Sequence, residues 1–127
     1  MIITNTNQGW SSKVNFTDSN DVFVGFDTDQ SCCEYADWNL TEKEDWKYTY
    51  YFEEKESVDY EGYNFDVNYF KECETYSDLD EGGHVIFKLV KADYPDLYLH
   101  LFNSHNGYYG HGFEASISGE VWKEAWV

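Results

Sequence analysis

Arginine is absent from this chain; its eight cationic residues are all lysine, set against 25 Asp and Glu. Proteins that grip nucleic-acid backbones neutralise phosphates with Lys and Arg, and a two-point phosphate grip needs the planar guanidinium. With a net charge of −17, direct nucleic-acid binding is not expected. The same field repels anionic lipid surfaces. Long apolar runs are lacking too: none approaches the ~20 residues of a membrane-spanning helix. The start, Met1-Ile2-Ile3-Thr4-Asn5, has neither the basic opening nor the apolar stretch of a secretory signal. A cytoplasmic protein is expected. Cysteine is sparse: Cys32, Cys33 and Cys73 are odd in number and two are adjacent, which is no disulfide framework. The chain also contains no Gly-rich phosphate loop, no G-x-S-x-G elbow and no H-E-x-x-H pair, so no sequence motif names a reaction.

What is present is aromatic and acidic. Residues 1–127 fit a single domain, long enough to bury roughly two-thirds of the surface of the unfolded chain. Aromatics make up 20% of the residues and Tyr alone occurs 12 times. Tyr buries ring area but needs a partner for its hydroxyl, so much of it is expected half-exposed. The acidity has an address in the sequence. Residues 29–81 hold 17 acids and 4 lysines, a net of −13, whereas the remainder holds 8 acids and 4 lysines, a net of −4.

Hydrophobic periodicity points to an all-β domain, an antiparallel sandwich or open barrel with at most one short helix. Lys13 to Phe16 alternates, Asp18-Ser19-Asn20-Asp21 turns, and Val22, Val24 and Phe26 continue at period two, which reads as a hairpin. Residues 1–8 are polar and read as a loose start or an edge strand. Thr41-Glu42-Lys43-Glu44 suggests a short helix near 41–46 with Thr41 as N-cap. Trp46, Tyr48, Tyr50 and Phe52 alternate as a strand over 46–54 with one aromatic face. Tyr60 to Tyr63 reads as a turn, Phe65, Val67 and Tyr69 as alternating strand positions, and Ser77 to Gly83 as an acidic loop. Val85 to Val90 is an apolar strand. Leu97, Leu99 and Leu101 alternate towards Asn106-Gly107, a strong hairpin signal. Placing Leu101 opposite Phe113, Leu99 opposite Ala115 and Leu97 opposite Ile117 puts all six on one face. That register needs one extra residue, for which Gly110-His111-Gly112 is a natural site. The expectation is a C-terminal meander with a bulge there and His100 beside Glu114.

Three constellations could carry chemistry. Asp29-Gln30-Ser31-Cys32-Cys33-Glu34 brings thiols and acids together, and His100, His105 and His111 gather around one expected hairpin. Cys32, Cys33, His100, His105 and His111 form a candidate set for a transition metal such as zinc. Against this, adjacent cysteines lack the Cys-x₂-Cys spacing that wraps one zinc, free Cys is usually buried, and neighbouring acids suppress the thiolate. The histidines, His84 included, are more simply turn and edge residues. Asp78-Leu79-Asp80-Glu81-Gly82-Gly83 starts like a calcium loop, but Leu89 stands where its closing Glu would be.

Asp29 to Glu34 and Asn106-Gly107-Tyr108-Tyr109-Gly110-His111-Gly112-Phe113 resemble segments of small acidic phage and bacterial proteins. The two segments span 14 of the 127 residues, and the resemblance implies no catalytic residues. It implies a phage or defence-related setting, in which acidic inhibitors, DNA mimics and immunity proteins recur. Together with the charge, it points to an interaction protein that needs no cofactor and binds a basic protein. Asp37, Trp38, Glu42, Glu44, Asp45, Glu53, Glu54, Glu56, Asp59 and Glu61 form the expected contact patch: opposite potentials steer encounter and aromatics anchor interface cores. Metal or small-ligand binding at the Cys/His set is the alternative.

Overall fold

The computed structural model describes residues 1–8, 11–29, 35–47, 58–73, 83–104 and 111–127. Among these there are nine strands and no helix: β1 (Ile2–Gln8), β2 (Ser11–Thr17), β3 (Val22–Asp27), β4 (Tyr35–Thr41), β5 (Asn64–Cys73), β6 (Gly83–Val90), β7 (Leu97–Ser104), β8 (Gly112–Ile117) and β9 (Glu120–Trp126). They form two antiparallel sheets, one ordered β1-β2-β3-β8-β9 and the other β4-β7-β6-β5. The expected all-β sandwich is therefore the fold. None of the described helical content is long and apolar enough to cross a membrane, because there is none.

Alternation decides which face each strand buries. Val14, Phe16, Val24, Phe26, Phe113 and Ala115 point inward from the first sheet; Leu40, Phe65, Val85, Phe87, Leu89, Leu97, Leu99 and Leu101 meet them from the second. The aromatics interlock across the gap. Phe16 meets Trp38 edge-on at 5.2 Å, and Phe87 lies 5.9 Å from Phe113 and 5.8 Å from Trp122. The 13–27 hairpin is present as β2–β3, and the polar start is an edge strand, β1.

The C-terminal meander is corrected at one link. β6–β7 and β8–β9 are hairpins, but β7 pairs with β4 and β6 while β8 pairs with β3 and β9. Leu97, Leu99 and Leu101 thus face Phe113 and Ala115 across the core instead of lying beside them in one sheet. Alternation fixes the buried face of a strand but not the sheet that owns it, and residues 105–110, including Asn106-Gly107, lie outside the described residues. Glu114 consequently sits between Gly25 and Glu124, on a different sheet from His100. No extra residue is needed at Gly112, which pairs regularly with Trp126. The bulge falls instead at Trp122. Ala115 opposes Lys123 and Ser116 opposes Val121, so Trp122 is supernumerary and turns its ring into the core. The two-residue turn with both positions left-handed is Ser118-Gly119, at φ 51° and 83°.

Two smaller expectations also change. Residues 41–46 form no helix: Thr41 ends β4, its hydroxyl accepts the Lys43 N–H at 3.3 Å, and Trp46 N–H reaches Lys43 O at 3.4 Å. A Thr hydroxyl satisfies a turn as readily as a helix cap. Val67 is exposed because β5 shifts register between Phe65 and Phe70, where four residues oppose Lys88 alone. The expected strand over 46–54 and loop over 77–83 lie mostly outside the described residues; Trp46 and Lys47, at the start of the former, are not in a strand.

Candidate functional site

Antiparallel pairing gathers the β2–β3, β6–β7 and β8–β9 turns, the end of β4 and the approach to β5 at one end of the sandwich. Asp18 ties that end together. Its Oδ1 accepts the N–H groups of Asn20 (2.9 Å) and Val22 (3.0 Å), and its Oδ2 accepts the N–H of Phe65 in the other sheet (2.8 Å). The Tyr60–Tyr63 turn forms as expected, with Gly62 at φ 77° and Tyr63 N–H on Tyr60 O at 3.2 Å. The Met1 nitrogen donates to Tyr63 O at 2.8 Å, and the Tyr63 hydroxyl donates to Pro95 O at 2.7 Å.

Carboxylates crowd this frame. Asp18, Asp21, Glu42, Asp59, Glu61, Asp93 and Asp96 all belong to it, with Lys91 among them. Burial pushes the Tyr63 hydroxyl pKa up, and the charges of Glu42, Asp59 and Asp96, from three separate stretches of chain, push it further. Lys91 is drawn over the Tyr94 ring at 4.1 Å and donates to Glu61 O at 3.0 Å; Lys88 pairs with Asp96 at 3.4 Å. Asp21 and Asp93 hold left-handed backbone at φ 60° and 67°, which Asp tolerates better than most residues.

Of the expected patch, Glu42, Asp59 and Glu61 come together at this end. Glu44 and Asp45 are exposed on the following turn, with Glu44 3.7 Å from Lys71. Asp37 is half-buried on β4, and Trp38 points into the sandwich against Phe16. Glu53, Glu54 and Glu56 lie outside the described residues. Asp18, Asp21, Asp93 and Asp96 come from outside the acidic stretch of the sequence. Only the antiparallel topology, which returns every second turn to the same end, brings them in.

The histidines divide. His100 sits on the outer face of the second sheet, fully buried, beside His84 rather than His111: His84 Nε2 and His100 Nδ1 are 2.8 Å apart. His100 Nε2 lies 2.9 Å from Lys43 O, a pure acceptor, so Nε2 carries the proton. His100 Nδ1 is then the acceptor and His84 Nε2–H the donor. Trp46 closes over the pair, 5.2 Å from His100, 6.1 Å from His84 and 5.3 Å from Phe102. Burial lowers the pKa of His84 to about 3, with the neighbouring His100 adding to it, and burial lowers that of His100 to about 4. This is the chemistry of a neutral structural pair. His111 is buried on the first sheet, with Nδ1 2.8 Å from Asp27 O, and its backbone exchanges two hydrogen bonds with Val127. Cys32, Cys33 and His105 lie outside the described residues, and among those described no three potential ligands gather as a metal site. The sequence signal for the pair was available: both histidines fall on the outward phase of neighbouring strands.

A second surface feature is a trough of about 670 Å³ on the outer face of the first sheet, lined by Lys13, Asn15, Phe23, Gly25, Glu114 and Trp126, among others. The Phe23 ring lies over Gly25, and the exposed Trp126 over Gly112.

No family model, curated protein or solved structure matches this chain.

Proposed function

We propose that this protein is an acidic interaction protein of the inhibitor kind, comparable to immunity, anti-defence or DNA-mimic proteins, and that its turn-bearing end docks on a basic surface of a partner macromolecule. One arrangement carries the reading: the stretches bearing Glu42, Asp59 and Asp96, far apart in sequence, return to one end of the sandwich around Tyr63, and their charges help to raise its hydroxyl pKa. Folding concentrates like charge where repulsion costs stability, and an opposite surface relieves it. Tyr94, 58% exposed, supplies an aromatic beside the acids, as interface cores favour. A toxin, a nuclease or another nucleic-acid-binding enzyme presents the matching basic surface.

The test compares two variants with the same charge change. Glu42→Lys with Asp59→Lys alters the acidic end; Glu114→Lys with Glu124→Lys alters the outer face of the first sheet. Immobilised wild-type protein is expected to retain a host partner at ~0.1 M salt and release it at ~0.5 M, where screening is severe. The first variant is expected to lose that partner and the second to keep it. Equal retention by both variants, or equal loss, would remove the acidic end as the docking surface.

A further inference from the structure

Among the described residues, the two sheets end at β1 and β9 and at β4 and β5. Three of them carry devices that discourage another strand from pairing. β9 has the Trp122 bulge and the charges of Glu120, Lys123 and Glu124. On β4 the Asp37 carboxylate already accepts the N–H of Trp38, at 2.8 Å. β5 breaks register between Phe65 and Phe70, its Asp66 takes the Asn68 N–H at 3.0 Å, and it bears Lys71 and Glu72.

β1 has none of these. Its register against β2 runs unbroken from Ile2↔Thr17 to Gln8↔Ser11. Its sequence, Ile-Ile-Thr-Asn-Thr-Asn-Gln, contains no charge, proline or glycine, and no side chain of residues 1–12 is charged. Ile2 is 63% exposed, and Thr4, Asn5 and Thr6 are exposed beside it. A short, uncharged, β-favouring segment of this composition pairs well with an identical one.

We infer that β1 is a self-association edge: two copies of this chain pair β1 against β1 in antiparallel fashion and extend the first sheet across a two-fold axis. The occupant is a second copy because of charge. A basic partner is steered to the carboxylates, whereas two chains of net charge −17 approach at least cost through the neutral stretch. An axis at Thr4 sets Thr4 against its equivalent and Ile2 against the second copy's Thr6, keeping like faces together. Thr–Thr neighbours suit an antiparallel pair. The contact is isologous and closes at two copies, since the other edges are blocked.

Light scattering on a size-exclusion column, at ~0.02 and ~0.5 M salt, tests this. Screening weakens the repulsion between copies, so the mass is expected to double with rising salt and protein concentration. Thr4→Lys and Thr4→Glu, which change net charge in opposite directions, are both expected to hold the chain at monomer mass. Hydrogen exchange gives an independent readout: concentrating the wild-type protein is expected to slow the amides of β1 and leave those of β4, β5 and β9 unchanged. A monomer under all conditions, a dimer that survives both substitutions, growth past two copies, or no slowing in β1 would overturn the inference.

Discussion

Asp18 joins the two sheets at this end of the fold, because one carboxylate terminates the β2–β3 turn and reaches into the other sheet. Hydrogen bonds to a charged acceptor are each worth roughly 1.5–3 kcal/mol, less where water can replace them. Asp18→Ala is therefore expected to lower unfolding free energy by about 2–4 kcal/mol in urea titration, and Asp18→Asn, which keeps an acceptor oxygen, by less. The buried histidine pair sets a pH dependence. Unfolded histidines titrate near 6.5, whereas burial holds His100 down to about 4 and His84 to about 3. The contribution is full above pH 6.5. It is lost as pH falls below that value, because the unfolded chain takes up protons that the folded pair refuses. Each refused proton costs about 1.4 kcal/mol per pH unit, so the pair removes up to about 4 kcal/mol by pH 5. Urea titrations at pH 7 and 5 are expected to show a smaller pH loss for the His84→Gln, His100→Gln double variant than for wild type. Equal losses would mean that the pair is protonated in the folded state.

At the level of strands, the bulge in β9 is what brings Trp122 into the core. Trp122 lies 5.8 Å from Phe87 and packs at the seam between the sheets. Trp122→Ala is expected to cost about 3–5 kcal/mol, less whatever the half-buried site recovers by collapse, read as a lower thermal midpoint. A tighter constraint sits at Gly83, where an added Cβ would stand 3.0 Å from the Val127 Cα, a backbone atom that cannot swing aside. Gly83→Ala is expected to cost about 1–3 kcal/mol by forced displacement, and Gly112→Ala, at 3.6 Å from the Trp126 ring, much less. These elements also show what a sequence reader can and cannot see. The β2–β3 hairpin and the inward phase of β7 follow from period-two alternation, β6 from a continuous apolar run, and the Tyr60–Tyr63 turn from its residue types. The ownership of β8 does not, because Phe113 and Ala115 satisfy the same alternation whether they lie beside Leu101 and Leu99 or opposite them. Val67 was misread because a bulge breaks phase without a marker in composition, and Thr41 because its hydroxyl caps a turn and a helix alike. The acidic end was half legible: Glu42, Asp59 and Glu61 lie in the charged stretch, but Asp18, Asp21, Asp93 and Asp96 join them only through the return of successive turns.

For the whole molecule, charge is a cost that the fold carries. At net −17 the compact state is destabilised by self-repulsion, and the turn-bearing end, with Asp18, Asp21, Glu42, Asp59, Glu61, Asp93 and Asp96, carries part of it. Added salt screens such charges over about 10 Å at 0.1 M. Thermal stability is therefore expected to rise between ~0.02 and ~0.5 M sodium chloride, by about 1–2 kcal/mol, or roughly 3–8 °C in Tm. Partner binding through the same carboxylates is expected to weaken over the same range, because the attraction it uses is screened as well. The two salt dependences have opposite signs and one origin, which makes them a joint test. Glu42→Lys with Asp59→Lys relieves repulsion at the acidic end. It is expected to raise the midpoint at low salt, to do so less at high salt, and to abolish partner capture. If acidity served solubility alone, that variant would gain stability and lose nothing. A variant that is more stable yet no longer binds would show that these carboxylates are kept for the surface they make.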